Sequence, residues 1–140
     1  MIKSDAPLFS KVAMGPPGGS AKWLSTEDGK NIRLGIWRTG KKGTVLIFPG
    51  RGEFIEKYGA AADLLSKKGY SVMAIDWRGQ GLSDRLHRNH FIGHIRKYSD
   101  YQKDVRATLE AFLSLELPKP LYLLSPSMGG CIAMRSLMEK

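Results

Sequence analysis

The chain changes polar rhythm several times. Thr44-Val45-Leu46-Ile47-Phe48 is apolar at every position after the first, as in a parallel strand covered on both faces. Ser71-Val72-Met73-Ala74-Ile75, ending at Asp76, and Leu121 to Leu124 have the same character and predict two more buried strands. Between them the period lengthens. Ile55 to Lys68 predicts a helix with Tyr58, Ala61, Ala62 and Leu65 on its inner stripe, stopped by Gly69. Ser99-Asp100-Tyr101-Gln102 has the spacing of a capping box and opens a second helix, whose apolar stripe is Tyr101, Val105, Leu109 and Phe112. Pro118-Lys119-Pro120 ends it, and Met128 to Lys140 is compatible with a third helix.

Earlier in the chain the pattern is alternating. Ala21 to Thr26 and Asn31 to Thr39 predict a hairpin around Glu27-Asp28-Gly29-Lys30. In its second strand Ile32, Leu34, Ile36 and Arg38 share one face, and Arg33, Gly35 and Trp37 the other, which suits a half-buried antiparallel strand. Residues 1–20, broken by Gly15-Pro16-Pro17-Gly18-Gly19, are expected as a flexible lead-in, and residues 21–140 as the folded unit. Strands alternating with helices predict an α/β sandwich with a mainly parallel sheet and an antiparallel hairpin at one edge. No internal repeat is visible.

Composition narrows the classes. With 140 residues, 42% hydrophobic and 25% charged, the chain fits one globular domain. A single cysteine, Cys131, excludes an internal disulfide framework and suits a reducing, cytoplasmic setting. Met1 to Pro7 has no apolar signal core, and no apolar run is long enough to span a bilayer. The net charge of +9 is spread along the chain without a nucleic-acid-binding motif, so nucleic acid is not an expected partner. One denser region, with Arg85, Arg88, Arg96 and Lys97 beside His87, His90 and His94, reads as a solvated basic loop or as a surface for anionic substrates or lipid headgroups. The three histidines lack the spacing of a zinc site, and neither a metal nor a cofactor is expected.

The candidate chemistry lies at Ser125-Pro126-Ser127-Met128-Gly129-Gly130. A serine between a buried strand and a helix, with small residues two positions to either side, outlines a nucleophile elbow. Ser127 is the candidate nucleophile. A tetrahedral oxyanion needs backbone donors, and the expected pair is the amide after the nucleophile, Met128, and one from the glycine-bearing loop Pro49-Gly50-Arg51-Gly52.

Several stretches together resemble the N-terminal part of an α/β-hydrolase of the lysophospholipase and monoacylglycerol-lipase type. They are Val45 to Glu53, Glu56-Lys57-Tyr58, Gly69 to Val72, Ser99-Asp100-Tyr101 and Ser127 to Gly130. Most specific is Asp76-Trp77-Arg78-Gly79-Gln80-Gly81-Leu82-Ser83, which is similar to the family's D-x-R-G-x-G-x-S loop. The likeness runs from about Trp23 to the end of the chain, about half of a fold of roughly 200–250 residues. Pro49 stands where many relatives carry a histidine, and so does Pro126.

The resemblance implies a serine esterase acting through an acyl-enzyme on a small lipid-like ester, a lysophospholipid or monoglyceride. Ser127 would be its nucleophile, and the N–H groups of Arg51 and Met128 its oxyanion donors. It implies that Asp76 and Arg78 form a buried structural ion pair, and that the triad acid and histidine lie beyond the elbow, outside this chain. The isolated chain is then expected to be inactive, with Leu121 to Leu124 as an unpaired edge. Two alternatives stay open: a non-catalytic binding protein reusing the fold, and a hydrolase completed by a second chain. The expected setting is the cytoplasm, with peripheral contact to an anionic membrane at its inner face. Trp23, Trp37, Trp77, Tyr101 and Cys131 are expected in the core.

Overall fold

The computed structural model describes residues 1–139. The elements are β1 (Ile2–Ala6), α1 (Ser10–Ala13), β2 (Ser20–Ser25), β3 (Asn31–Trp37), β4 (Thr44–Ile47), a 3₁₀ turn (Ile55–Tyr58), α2 (Gly59–Lys67), β5 (Ser71–Asp76), a second 3₁₀ turn (Tyr98–Asp100), α3 (Tyr101–Ser114), β6 (Leu121–Leu124) and α4 (Met128–Met138). The strands form one sheet in the order β1-β2-β3-β5-β4-β6. It is mixed: β1, β2, β3 and β5 pair antiparallel in turn, whereas β5-β4 and β4-β6 are parallel.

The alternation read in the sequence sorts the core into two layers. Ile32, Leu34 and Ile36 of β3, Leu46 of β4 and Phe48 just after it, and Met73 and Ile75 of β5 face α3 and α4. Trp37, Val45, Ile47, Val72 and Ala74 face the other way, onto α1, Ile55 and α2. A fully buried side chain of this size contributes about 1.5–3 kcal/mol over an exposed one. The two layers are therefore the main source of stability.

Four expectations change. Residues 1–20 are not simply a lead-in: Ile2–Ala6 adds a sheet-edge strand to β2, and Ala13 is buried beneath the Ile55–Tyr58 turn. β3 is buried on both faces, because that turn covers the second one; a Cβ on Gly35 would lie 2.5 Å from Ile55 Cγ2. The capping box does not form. The Tyr98–Asp100 turn precedes α3, and Gln102 instead donates through Nε2 to the Ile132 carbonyl at 3.1 Å, tying α3 to α4. Leu109 and Cys131 are exposed, and Trp23 is half-buried. β6 is an edge strand whose Tyr122, Leu123 and Leu124 stay substantially exposed.

The topology also positions a crevice. From β4 the chain moves to β5 on one side, and from β5 it returns to β6 on the other side of β4. The loops leaving β4 and β6 at their carboxyl ends diverge onto opposite faces of the sheet. That is the switch point at which open α/β sheets bind ligands. Pro49–Gly52 and Ser125–Ser127 are those loops.

Candidate active site

Ser127 has φ 53° and ψ −125°, outside the regions an L-residue ordinarily occupies. Such a conformation costs about 1–3 kcal/mol and persists only where its surroundings impose it. Here β6 enters from one side and α4 leaves on the other, so the side chain is held at the apex of the turn, exposed. The packing that imposes the turn is specific. A Cβ on Gly129 would sit 1.9 Å from the Phe48 carbonyl oxygen, so only glycine lets α4 press against the end of β4. Gly130 also packs closely here, since its Cβ would lie 2.8 Å from the Ser125 oxygen.

The loop after β4 comes up beside this serine. A Cβ on Gly50 would be 3.5 Å from Ser127 Cβ. Its polar groups are fastened one by one. Trp77 Nε1 donates to the Pro49 carbonyl at 2.8 Å, and Gln80 Nε2 donates to the Gly50 and Glu53 carbonyls at 3.1 and 3.2 Å. The Gly50 amide donates to Glu53 Oε1 at 2.7 Å, and Tyr58 Oη donates to the same oxygen at 2.9 Å. Burial opposes the Glu53 charge, but Tyr58, the Gly50 amide and Lys57 outweigh it and hold its pKa below the usual 4.5. Burial, together with the Glu53 carboxylate, pushes the Tyr58 hydroxyl up to about 12.

Two amides are left over. Among the described residues, neither the N–H of Arg51 nor that of Met128 has a protein acceptor. On the Met128 side, the Ser127 carbonyl accepts from the amides of Gly130 at 2.9 Å and Cys131 at 3.4 Å, which fixes the peptide carrying the Met128 N–H. Arg51 and Met128 line one open cleft of about 550 Å³, together with Arg85, His90, Phe91, Gly93 and Ile95. Among these residues no hydrogen bond reaches the Ser127 hydroxyl. A group of three or more His, Cys, Asp or Glu side chains able to hold a metal is absent among the described residues.

Asp76 and Arg78 do not pair with each other. Asp76 is fully buried; it accepts from Arg33 Nε at 2.8 Å and from the amides of Ile55 and Leu82 at 2.9 Å. Arg33 also grips Glu56 with two 2.8 Å bonds. Burial pushes the Asp76 carboxyl up, whereas in Glu56 burial is outweighed by the Arg33 fork and the Phe9 amide, so its pKa falls. Arg78 instead binds Asp104 through Nε at 2.9 Å and Asp28 through its terminal nitrogens at 2.9 and 3.1 Å. Two buried ionic clusters therefore brace the turn Trp77–Ser83, and that turn delivers Gln80 to the loop after β4. Reading the sequence alone missed Gln80, Arg33 and Glu56, since their partners are backbone atoms or lie far away along the chain.

A family model described as serine aminopeptidase, S33, matches residues 39–140. The chain belongs to this family of α/β-hydrolases. Lysophospholipase L2 of Escherichia coli strain K12 is 38% identical to the S33-family chain over 89 residues, which are 64% of the chain and 26% of that protein. Phospholipase YtpA of Bacillus subtilis is 29% identical over 96 residues, 69% of the chain and 34% of the relative. The aligned segments thus span about a quarter to a third of these curated relatives. Among solved structures, the Pyrococcus furiosus esterase Pf2001 superposes with a TM-score of 0.71 at 23% identity, covering 96% of this chain and 51% of the esterase. The Exiguobacterium antarcticum esterase EaEST gives 0.66 at 24%, covering 84% and 39%. These likenesses establish the hydrolase fold, and the relatives place the family among ester hydrolases. No described helix is long and apolar enough to cross a membrane.

Proposed function

We propose that this S33-family chain carries the nucleophile and oxyanion hole of a serine esterase acting on small lipid-like esters such as lysophospholipids or monoglycerides. The carrying observation is the backbone of Ser127, a non-glycine residue at φ 53° on a strand-turn-helix bend beside two amides without acceptors. In this reading Ser127 Oγ attacks the ester carbonyl carbon as a base takes its proton. The carbonyl oxygen becomes an oxyanion held by the N–H groups of Arg51 and Met128. Collapse expels the alcohol, which takes up the proton, and leaves an acyl-enzyme; water repeats the sequence in reverse and frees the acid.

The loop geometry supports the oxyanion role. A carbonyl and the N–H that follows it lie in one planar trans unit and point in opposite directions. Gln80 fastens the Gly50 oxygen, so the Arg51 N–H is turned away from Gln80. Gln80 is thereby a positioning residue. Donors fixed before the reaction need not reorganise as charge develops, and one such donor is worth about 3–4 kcal/mol.

The base and the acid that orients it come from outside the described residues, either from the C-terminal half of the same domain or from a complementing chain. Residues 21–140 are then the N-terminal part of the hydrolase domain, joined by β1. The lipid-like substrate fits the printed activities of the relatives, lysophospholipase and phospholipase. A cytoplasmic setting belongs to the same proposal and is supported by the single cysteine, which suits a reducing compartment. The test is labelling of the whole protein with a fluorophosphonate probe. One equivalent should react, and Ser127→Ala should abolish the reaction. A correctly folded wild type that takes up no probe would favour the non-catalytic binding protein instead.

A further inference from the structure

We infer that the segment Arg85–Lys97 docks on an anionic lipid surface and sets the mouth of the cleft against it; the benefit to catalysis rests on the esterase reading, but the docking does not. The segment contains no acidic residue and four Lys or Arg side chains. Arg85 is spent inside the fold, donating to the carbonyls of Gly79 and Gly81. Arg88, Arg96 and Lys97 are exposed, and among the described residues no carboxylate pairs with them. The acids that border the segment are already engaged. Asp28 holds Arg78 and Lys103, Asp100 holds Lys103 at 3.0 Å, and Asp84 accepts from the Asn31 amide at 2.8 Å.

Between these free cations the chain exposes apolar side chains. Phe91 is 98% exposed, the highest value for any large hydrophobic residue among the described ones, and Ile92 beside it is 42% exposed. A solvated loop has no reason to extend a phenyl ring fully into water, since apolar surface left there is unfavourable. Cations flanking a protruding aromatic residue match a lipid interface: the charges meet anionic headgroups and the ring enters the acyl boundary. A single-stranded nucleic acid offers the charge and a base to stack on Phe91, but no apolar layer for the aliphatic Ile92 beside it. The position adds a consequence. His90, Phe91, Gly93 and Ile95 line the same cleft as Arg51 and Met128. A lipid ester leaving the bilayer at Phe91 therefore enters the cleft directly, without crossing bulk water.

The test is flotation of the whole protein with vesicles of phosphatidylcholine alone, and with about a third of it replaced by phosphatidylglycerol. Binding is expected only to the anionic vesicles and should weaken with salt. Charge removal in the double variant R88Q/K97Q should lower partitioning about five-fold per cation, about 25-fold together. F91S should lower it by about ten-fold. Turnover of a water-soluble short-chain ester should be unchanged in R88Q/K97Q. Equal binding to neutral vesicles, no binding to either, or unaltered binding by both variants overturns the proposal, as does Arg88-dependent binding to a single-stranded oligonucleotide in its place. Vesicle binding as described with no turnover of any ester would sustain the docking surface and remove the esterase reading.

Discussion

Replacing Gln80 by leucine should slow the chemical step far more than it weakens substrate binding. The change roughly keeps the volume of the side chain and removes its carboxamide, whose oxygen has no hydrogen bond among the described residues and whose NH₂ is the bonded group. That group makes two bonds, to the Gly50 carbonyl at 3.1 Å and the Glu53 carbonyl at 3.2 Å. Afterwards the Gly50 oxygen keeps only a long contact from the Glu53 amide at 3.4 Å. An unsatisfied buried carbonyl costs about 1–3 kcal/mol, enough to drive the loop to find other donors. Any such rotation swings the Gly50–Arg51 peptide and with it the Arg51 N–H. Complete loss of one oxyanion donor costs about 10²–10³ in kcat, which is the ceiling. Partial misalignment should cost about 10–100-fold, or roughly 1.4–2.7 kcal/mol of barrier. Because the donor acts on charge present only in the transition state, KM should move little. The assay is steady-state hydrolysis of a soluble aryl ester by the whole protein, with circular dichroism to confirm folding. Gln80→Glu, which accepts but cannot donate, should be at least as slow. A folded Gln80→Leu protein with wild-type kcat would refute the positioning role.

Gly129→Ala should destabilise the fold by about 3 kcal/mol, because its methyl would meet the Phe48 carbonyl at 1.9 Å and neither backbone can yield; the denaturant midpoint measures this. Arg33→Met should cost about 3–5 kcal/mol by the same assay, since it strands Glu56 and Asp76 in the interior, while replacing all three by apolar residues should cost less. Glu53 carries a lowered pKa, so its hold on the Gly50 amide is fully present above its unfolded value of 4.5 and is lost as pH falls through the lower folded value. Hydrogen exchange at Gly50, corrected for intrinsic rates, should therefore lose protection only below about pH 4.5, and Glu53→Gln should flatten that dependence.

The parts of this fold legible in the sequence are those whose signal is local. β4 and β5 announce themselves because both faces are apolar, and the elbow because a strand, two small residues and a helix follow in order. The two-sided burial of β3 was not legible, since Ile55, which covers its second face, lies twenty residues beyond Gly35. β1 is mostly polar and exposed, so periodicity cannot separate it from a tail; only its pairing with β2 makes it a strand. Helix α3 buries Asp104 and Thr108 in place of Leu109, because Arg78 draws that face inward through Asp104. At the site, Ser127 and its two flanking loops were readable, whereas Gln80 was not: its acceptors are carbonyls, and a carbonyl leaves no trace in the residue alphabet.

The most direct test of the central claim is a crystal structure of the whole protein after reaction with a phosphonate ester. Phosphorus should be bonded to Ser127 Oγ, with its anionic oxygen about 2.7–3.1 Å from the amide nitrogens of both Arg51 and Met128. An adduct on another residue, or one whose oxygen turns away from those two amides, would contradict it.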